Sequence, residues 1–96
     1  MARVEVTEDA LDDLARLIAT HQLPGDTRAR VRGVLGRLER FPESGTPLTE
    51  RWEGLRFMVG PWRWMLVVYI YDETFDRVSI VTVQDARSSR AATSTR

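Results

Sequence analysis

The sequence of 96 residues contains no cysteine and only one histidine, His21. Without cysteine, neither a disulfide framework nor a thiolate metal site can form, so the fold must be held together by packing alone. A single histidine also excludes a metal site built from several imidazoles. We therefore expect a small domain that works without a cofactor or a bound metal.

Long apolar runs are missing too. No stretch approaches the roughly 20 apolar residues that an α-helix needs to span a bilayer. The first residues, Met1-Ala2-Arg3, lead straight into a strand-like segment and not into the apolar region of a signal peptide. We therefore expect a cytoplasmic protein.

Lysine is absent as well, because all 14 basic residues are arginines, and 14 acidic residues balance them to a formal net charge of zero. A neutral molecule has no long-range attraction for nucleic acid. Arginine binds phosphate and carboxylate groups bidentately better than lysine does, which suits an RNA backbone or an acidic partner protein equally. A GC-rich genome would explain the same composition, so composition leaves the partner open.

The first half of the chain has the pattern of a short strand followed by two helices. Residues 3–6 alternate as a strand does. Thr7 stands where an N-cap would, and an apolar stripe predicts a helix from there to about His21. After a turn, a second amphipathic helix is predicted from about Thr27 to Phe41. A loop over residues 43–51 then leads into the second half.

The predicted second helix has two unusual features. Gly33 and Gly36 lower its helix propensity, which we interpret as a close approach to the first helix or to the sheet. Its polar face is rich in arginine, and this face is either solvated or a basic docking surface for a partner. The arginines concerned are Arg28, Arg30, Arg32, Arg37 and Arg40.

The stretch from Gly54 to Arg87 is typical of a three-stranded antiparallel meander. Its three apolar runs are separated by turn signals at Gly60-Pro61 and at residues 72–76. Both faces of the central run are apolar, so we expect cover on both sides, and two helices can cover only one. In the last run, about residues 77–84, the apolar positions change parity, which indicates a bulge or burial on both faces.

These elements predict an α+β fold with the order β-α-α-β-β-β, in which a short N-terminal strand and an α-helical hairpin precede the meander. One domain is expected over residues 1–87. Residues 88–96 contain no packing side chain larger than alanine, so we expect a flexible C-terminal tail there.

This order, together with three short motifs, resembles the RelE/ParE toxin family. The motifs are Gly-Leu-Arg at 54–56, Val-Gly-x-Trp-Arg at 59–63 and Val-x-Asp-x-Arg at 83–87. The resemblance implies a strongly twisted, mostly antiparallel sheet with the hairpin on one face. It also implies the toxin half of a bacterial type II toxin–antitoxin pair, with a cognate antitoxin protein covering the sheet face and the helical hairpin.

The RelE-like branch of the family cleaves ribosome-bound mRNA, and the resemblance carries this activity over as a hypothesis. A ribose 2′-OH attacks the adjacent phosphate, which requires a base, an acid and cations. The candidates for the cations are Arg63, Arg56 and Arg87, and the candidates for proton transfer are Asp85 and Glu53. A carboxylate beside arginines has its pKa lowered, which favours a base, so the sequence contains no evident general acid.

Two alternatives stay open at this stage. The ParE-like branch inhibits DNA gyrase by binding it and needs no catalytic residues, which fits the neutral charge. A catalytically inactive member would act only as the antitoxin's partner. The convergence of Arg56, Arg63 and Arg87 on one open surface would favour the enzyme. Arginines that point to different faces, or that are buried in ion pairs with Glu53 and Asp85, would contradict the catalytic role.

Overall fold

The computed structural model describes residues 1–94, and its elements follow the predicted order. The elements are β1 (Arg3–Val6), α1 (Glu8–His21), α2 (Thr27–Arg40), β2 (Thr46–Pro47), β3 (Arg56–Val59), β4 (Met65–Asp72) and β5 (Arg77–Asp85). The α+β class and the β-α-α-β-β-β order are confirmed. Strand β2 is an addition, because two residues within the predicted loop are too few to show a period.

The strands form one sheet in the order β1-β5-β4-β3-β2. Strand β1 runs parallel to β5, and the other neighbours are antiparallel. The register slips once, because Val68 pairs with Thr82 while Tyr69 pairs with Ile80. Val81 is therefore an extra residue, and Ile80 and Val83 are both buried on the helix side. The bulge expected from the change of apolar parity is confirmed.

Helix α1 begins where β1 stops pairing with β5. Thr7 is the predicted N-cap, since its hydroxyl accepts from the amide of Ala10 at 3.2 Å. The same hydroxyl donates to the carbonyl of Ile80 at 2.8 Å. Six residues further on, the carboxylate of Asp13 accepts from the Thr82 hydroxyl and from the Val83 amide. These hydrogen bonds give partners to polar groups of β5 beyond the end of β1, and they attach α1 to the sheet.

The main core lies between the sheet and the two helices, and Tyr69, Leu38, Met65 and Ile80 are its largest fully buried side chains. Neither helix glycine contributes to it by a close approach. A Cβ atom at Gly33 would meet nothing within 4 Å, and one at Gly36 would meet only a carboxylate oxygen at 3.9 Å. The interpretation of these glycines as packing sites is therefore wrong.

The second face of the sheet is covered in its middle by the chain itself. Leu66 and Val68 point away from the helices, yet both are buried. Leu48 in the loop after β2 and Ala91 in the C-terminal segment are buried as well, and both line a groove over this face. The expected cover on both sides is thus present, and its source is a loop and the chain end.

The C-terminal segment over residues 88–94 forms successive turns after β5. The amide of Ala92 donates to the side-chain oxygen of Gln84 at 2.8 Å. The boundary after residue 87 and the flexibility of residues 88–96 stay predictions, and Thr95 and Arg96 lie outside the described residues. In the described part of the chain, no helix is long and apolar enough to cross a membrane.

Candidate functional site

The turn between β3 and β4, over residues 60–64, lies beside the end of β5. The amide of Gly60 donates to the carbonyl of Met65 at 2.8 Å, and the Ala86 amide donates to the carbonyl of Trp64 at 2.7 Å. Met65 in turn pairs with Asp85. A Cβ atom at Gly60 would stand 3.0 Å from the Met65 sulfur, so glycine permits this close turn. The turn thereby brings Arg63 to the sheet end that carries Asp85 and Arg87.

Asp85 and Arg87 form a side-on ion pair at this end of the sheet. The guanidinium donates from Nε to Oδ1 and from Nη2 to Oδ2, both at 2.9 Å, and the Arg87 amide also donates to Oδ1. The hydrogen bond from Arg87 is the main cause that lowers the pKa of Asp85, and the same contact raises the pKa of Arg87. Asp85 is therefore held ionised, as the sequence predicts for a carboxylate beside arginines.

A histidine completes the cluster. His21 is the last residue of α1, and its Nε2 lies 3.4 Å from Oδ2 of Asp85. Its ring centroid is 4.6 Å from that of Trp64. Trp64 also lies against the Arg87 guanidinium, 5.0 Å from its ring centroid, and stacks on Trp62 at 6.4 Å. Sequence reasoning missed His21 as a site residue, although it lies three residues after Ile18 on the apolar stripe of α1.

Arg56 lies away from this end of the sheet, and its guanidinium is bonded to backbone carbonyls. It pairs across the sheet with Tyr69, four residues along β4 from Met65, which corresponds to roughly 13 Å along the strand. Its guanidinium donates to the carbonyls of Glu43 at 3.0 Å and Gly45 at 2.8 Å. The amide of Gly45 donates to the buried Tyr69 hydroxyl at 2.8 Å. Arg56 thus holds the loop before β2 against the sheet.

The five sequence-predicted site residues therefore separate into two groups. Arg63, Asp85 and Arg87 share one end of the sheet, whereas Arg56 does not reach it. Glu53 is exposed in the loop before β3 and makes no ion pair with a described side chain. The convergence of all three arginines that would favour the enzyme is absent, and His21 stands beside Asp85.

The sheet end has the groups needed to bind an anion and to move a proton. Arg63 is exposed and has no ion pair within residues 1–94. The side chain of Arg87 is 62% exposed, and its Nη1 makes no bond to Asp85. A phosphate can be bound by free guanidinium nitrogens, and the imidazole can accept or donate a proton. Among the described residues, no three histidine, cysteine or acidic side chains are grouped to hold a metal ion.

Comparison with known proteins gives a fold but no sequence family. No family model matches the chain, and no curated protein matches it by sequence. A chain of the toxin–antitoxin complex RelBE2 from Mycobacterium tuberculosis matches with a TM-score of 0.65 at 27% identity, over 88% of this chain and 96% of that one. The isolated RelE toxin of E. coli matches with a TM-score of 0.63 at 15% identity, over 94% and 89%. The chain has a RelE-like toxin fold.

A third RelE-like match is a chain of the intact RelBE toxin–antitoxin complex of E. coli, with a TM-score of 0.60 and 15% identity. It covers 92% of this chain and 100% of that one. The RelE-like fold agrees with the resemblance drawn from the motifs. Identities this low relate the backbones of the proteins and not their individual side chains.

Proposed function

We propose that this protein is the toxin of a type II toxin–antitoxin pair and inhibits growth by cleaving mRNA on the ribosome. The observation that carries the proposal is the sheet end that bears Asp85 and Arg87, with Arg63 in the adjacent turn, within a RelE-like fold. RNA cleavage by 2′-OH attack places extra negative charge on the phosphate in the transition state. Fixed guanidinium groups stabilise that charge more than they stabilise the substrate.

The two arginines at the sheet end have different proposed roles. Arg63 is exposed and without an ion pair in the described chain, so its whole guanidinium can clamp the scissile phosphate. Arg87 is held by Asp85 through Nε and Nη2, and so presents Nη1 in a fixed direction. Arg56 and Glu53 remain weaker proposals, because Arg56 is bonded to loop carbonyls and Glu53 lies apart from the cluster.

The proposed partner is an antitoxin that covers the hairpin and the open parts of the sheet face. A groove between α1 and α2 is lined by apolar side chains, and Leu11 at its rim is 47% exposed. On the second face of the sheet, Val59 and Ile70 are each 43% exposed. Arg28 and Arg32 stand at the groove, so an apolar segment that carries acidic residues would fit it.

Inhibition of DNA gyrase is the second candidate, and two observations favour it. The net charge of zero provides no general attraction to the ribosome's RNA. Arg56, one of the three predicted phosphate-binding arginines, is engaged in the loop. A protein that inhibits gyrase by binding it needs neither a positive net charge nor a free Arg56.

Induction of the protein in bacterial cells tests the proposal. We expect translation to stop before DNA replication, as followed by pulse labelling of protein and DNA. Arg63→Ala should lose toxicity while keeping the melting temperature of the parent. Arg77→Ala is the matched control, since Arg77 is exposed at the far end of β5, and it should stay toxic. Replication that stops first, with Arg63→Ala as toxic as the parent, would favour gyrase inhibition.

A further inference from the structure

We propose that His21 is the general base of the cleavage reaction and takes the proton from the attacking 2′-OH. This inference rests on the proposed RNA cleavage and adds the proton-transfer group that the sequence motifs do not supply. It follows from the position of an imidazole 3.4 Å from a carboxylate that binds an exposed guanidinium, at the sheet end beside the turn that carries Arg63.

The position of His21 is fixed by the way α1 ends. Gln22 adopts a left-handed conformation with φ of 49°, and its amide donates to the carbonyl of Ile18, which closes the helix directly after His21. Asp13 anchors the middle of the same helix to β5 through Thr82. With both its middle and its last turn fixed, α1 delivers its final side chain to the end of β5.

The orientation of the imidazole is set from two sides. Nε2 faces Oδ2 of Asp85 at 3.4 Å, and Trp64 packs against the ring. Among residues 1–94, no side chain or backbone group forms a hydrogen bond with Nδ1. The side chain is 28% exposed, and no side-chain nitrogen or oxygen that lacks a hydrogen bond is buried in the described chain, so Nδ1 reaches solvent. An imidazole with one nitrogen beside an ionised carboxylate and the other nitrogen free can act as a positioned general base.

The Asp85 carboxylate faces His21, with Oδ2 lying 3.4 Å from Nε2. Asp85 stays ionised because the Arg87 hydrogen bond lowers its pKa, and an ionised carboxylate stabilises an adjacent cation. The same carboxylate binds Arg87 in a side-on pair.

The proposed step transfers one proton to His21 and exchanges one bond at phosphorus. Nδ1 of His21 takes the proton of the ribose 2′-OH while the 2′-oxygen forms a bond to phosphorus. The bond between phosphorus and the 5′-oxygen breaks, and the leaving 5′-oxygen takes a proton from water. The products are a 2′,3′-cyclic phosphate and a 5′-hydroxyl end, and the imidazolium returns its proton to solvent. No oxidant, metal ion or cofactor enters the balance.

The test measures mRNA cleavage on translating ribosomes with purified full-length protein. His21→Ala should lower the cleavage rate by about 10²-fold or more, the range that positioned proton transfer contributes. Added imidazole should restore part of that rate, because a free base can occupy the space left by the side chain. Thr20→Ala, an exposed neighbour on the same helix, is the matched control and should cleave at the parent rate. Circular dichroism checks that each variant is folded.

Each other outcome overturns the inference in a distinguishable way. If the parent cleaves and His21→Ala cleaves within threefold of it, His21 is no base, and the proposed function stands. The same holds if a folded His21→Ala loses activity that imidazole does not restore, since the histidine is then only a packing residue against Trp64. If the parent leaves mRNA intact while it arrests growth, the proposed function fails and the role of His21 fails with it.

Discussion

Replacement of Tyr69 by phenylalanine tests whether the loop before β2 is held by a buried hydrogen bond. Tyr69 is fully buried, and its hydroxyl accepts the amide of Gly45 at 2.8 Å. Burial is the main cause that raises the pKa of this phenol, so it stays neutral and able to accept. The substitution leaves the Gly45 amide buried without a partner, which costs about 1–3 kcal/mol of unfolding free energy.

The expected fall in melting temperature for a domain of this size is about 4–8 °C for each kcal/mol lost. The matched control is Tyr71→Phe, two residues along the same strand, whose hydroxyl bonds to Asp76 at 2.7 Å in an exposed position. Water can replace that partner, so the control should melt close to the parent. Thermal unfolding followed by circular dichroism measures both. Equal melting temperatures for the two variants would refute the reasoning.

Three further changes give distinct expectations. Gly45→Ala places a Cβ atom 2.5 Å from the Tyr69 hydroxyl and should destabilise by about 1–3 kcal/mol in urea unfolding; a neutral result would contradict the packing. Gly33→Ala meets nothing within 4 Å and should stabilise α2 by about 0.5–1 kcal/mol in the same measurement, so a loss would point to a hidden contact. Arg87→Ala should raise the pKa of Asp85 towards its ordinary value, as followed by carboxyl NMR, whereas an unchanged pKa would place the cause elsewhere.

The pH dependence of stability follows from the same ion pair. The pKa of Asp85 is lower in the folded protein than in the unfolded chain. Its carboxylate therefore contributes to the free energy of unfolding above the unfolded pKa of roughly 4. That contribution is lost as the pH falls through the folded pKa, where the carboxylate is protonated in both states. Arg87→Ala should therefore be less stable than the parent at neutral pH, and the difference should shrink in acid.

Local patterns in the sequence predict most of the fold. The apolar stripe of α1 and the N-cap at Thr7 depend only on neighbouring residues, so they can be predicted from the sequence. The bulge at Val81 is also local, because it changes which side of the strand the apolar residues face. Strand β2 could not be foreseen, because two residues do not establish an alternation.

The candidate site is less predictable because it depends on contacts between distant segments. His21 and Asp85 are 64 positions apart, and only the crossing of α1 over β5 brings them together. The signal that could have found His21 was its place on the apolar stripe at the end of a helix, where a polar ring has a buried side and an open side. Arg56 shows the opposite case, since its bonds to loop carbonyls depend on a turn that no local pattern specifies.

Mapping of transcript ends after induction tests whether the sheet end of this RelE-like fold cleaves RNA. We expect new 5′-hydroxyl ends inside translated regions within minutes of induction. These ends should be absent with Arg63→Ala and present with Arg77→Ala. Transcripts that stay intact while the parent protein arrests growth would contradict it.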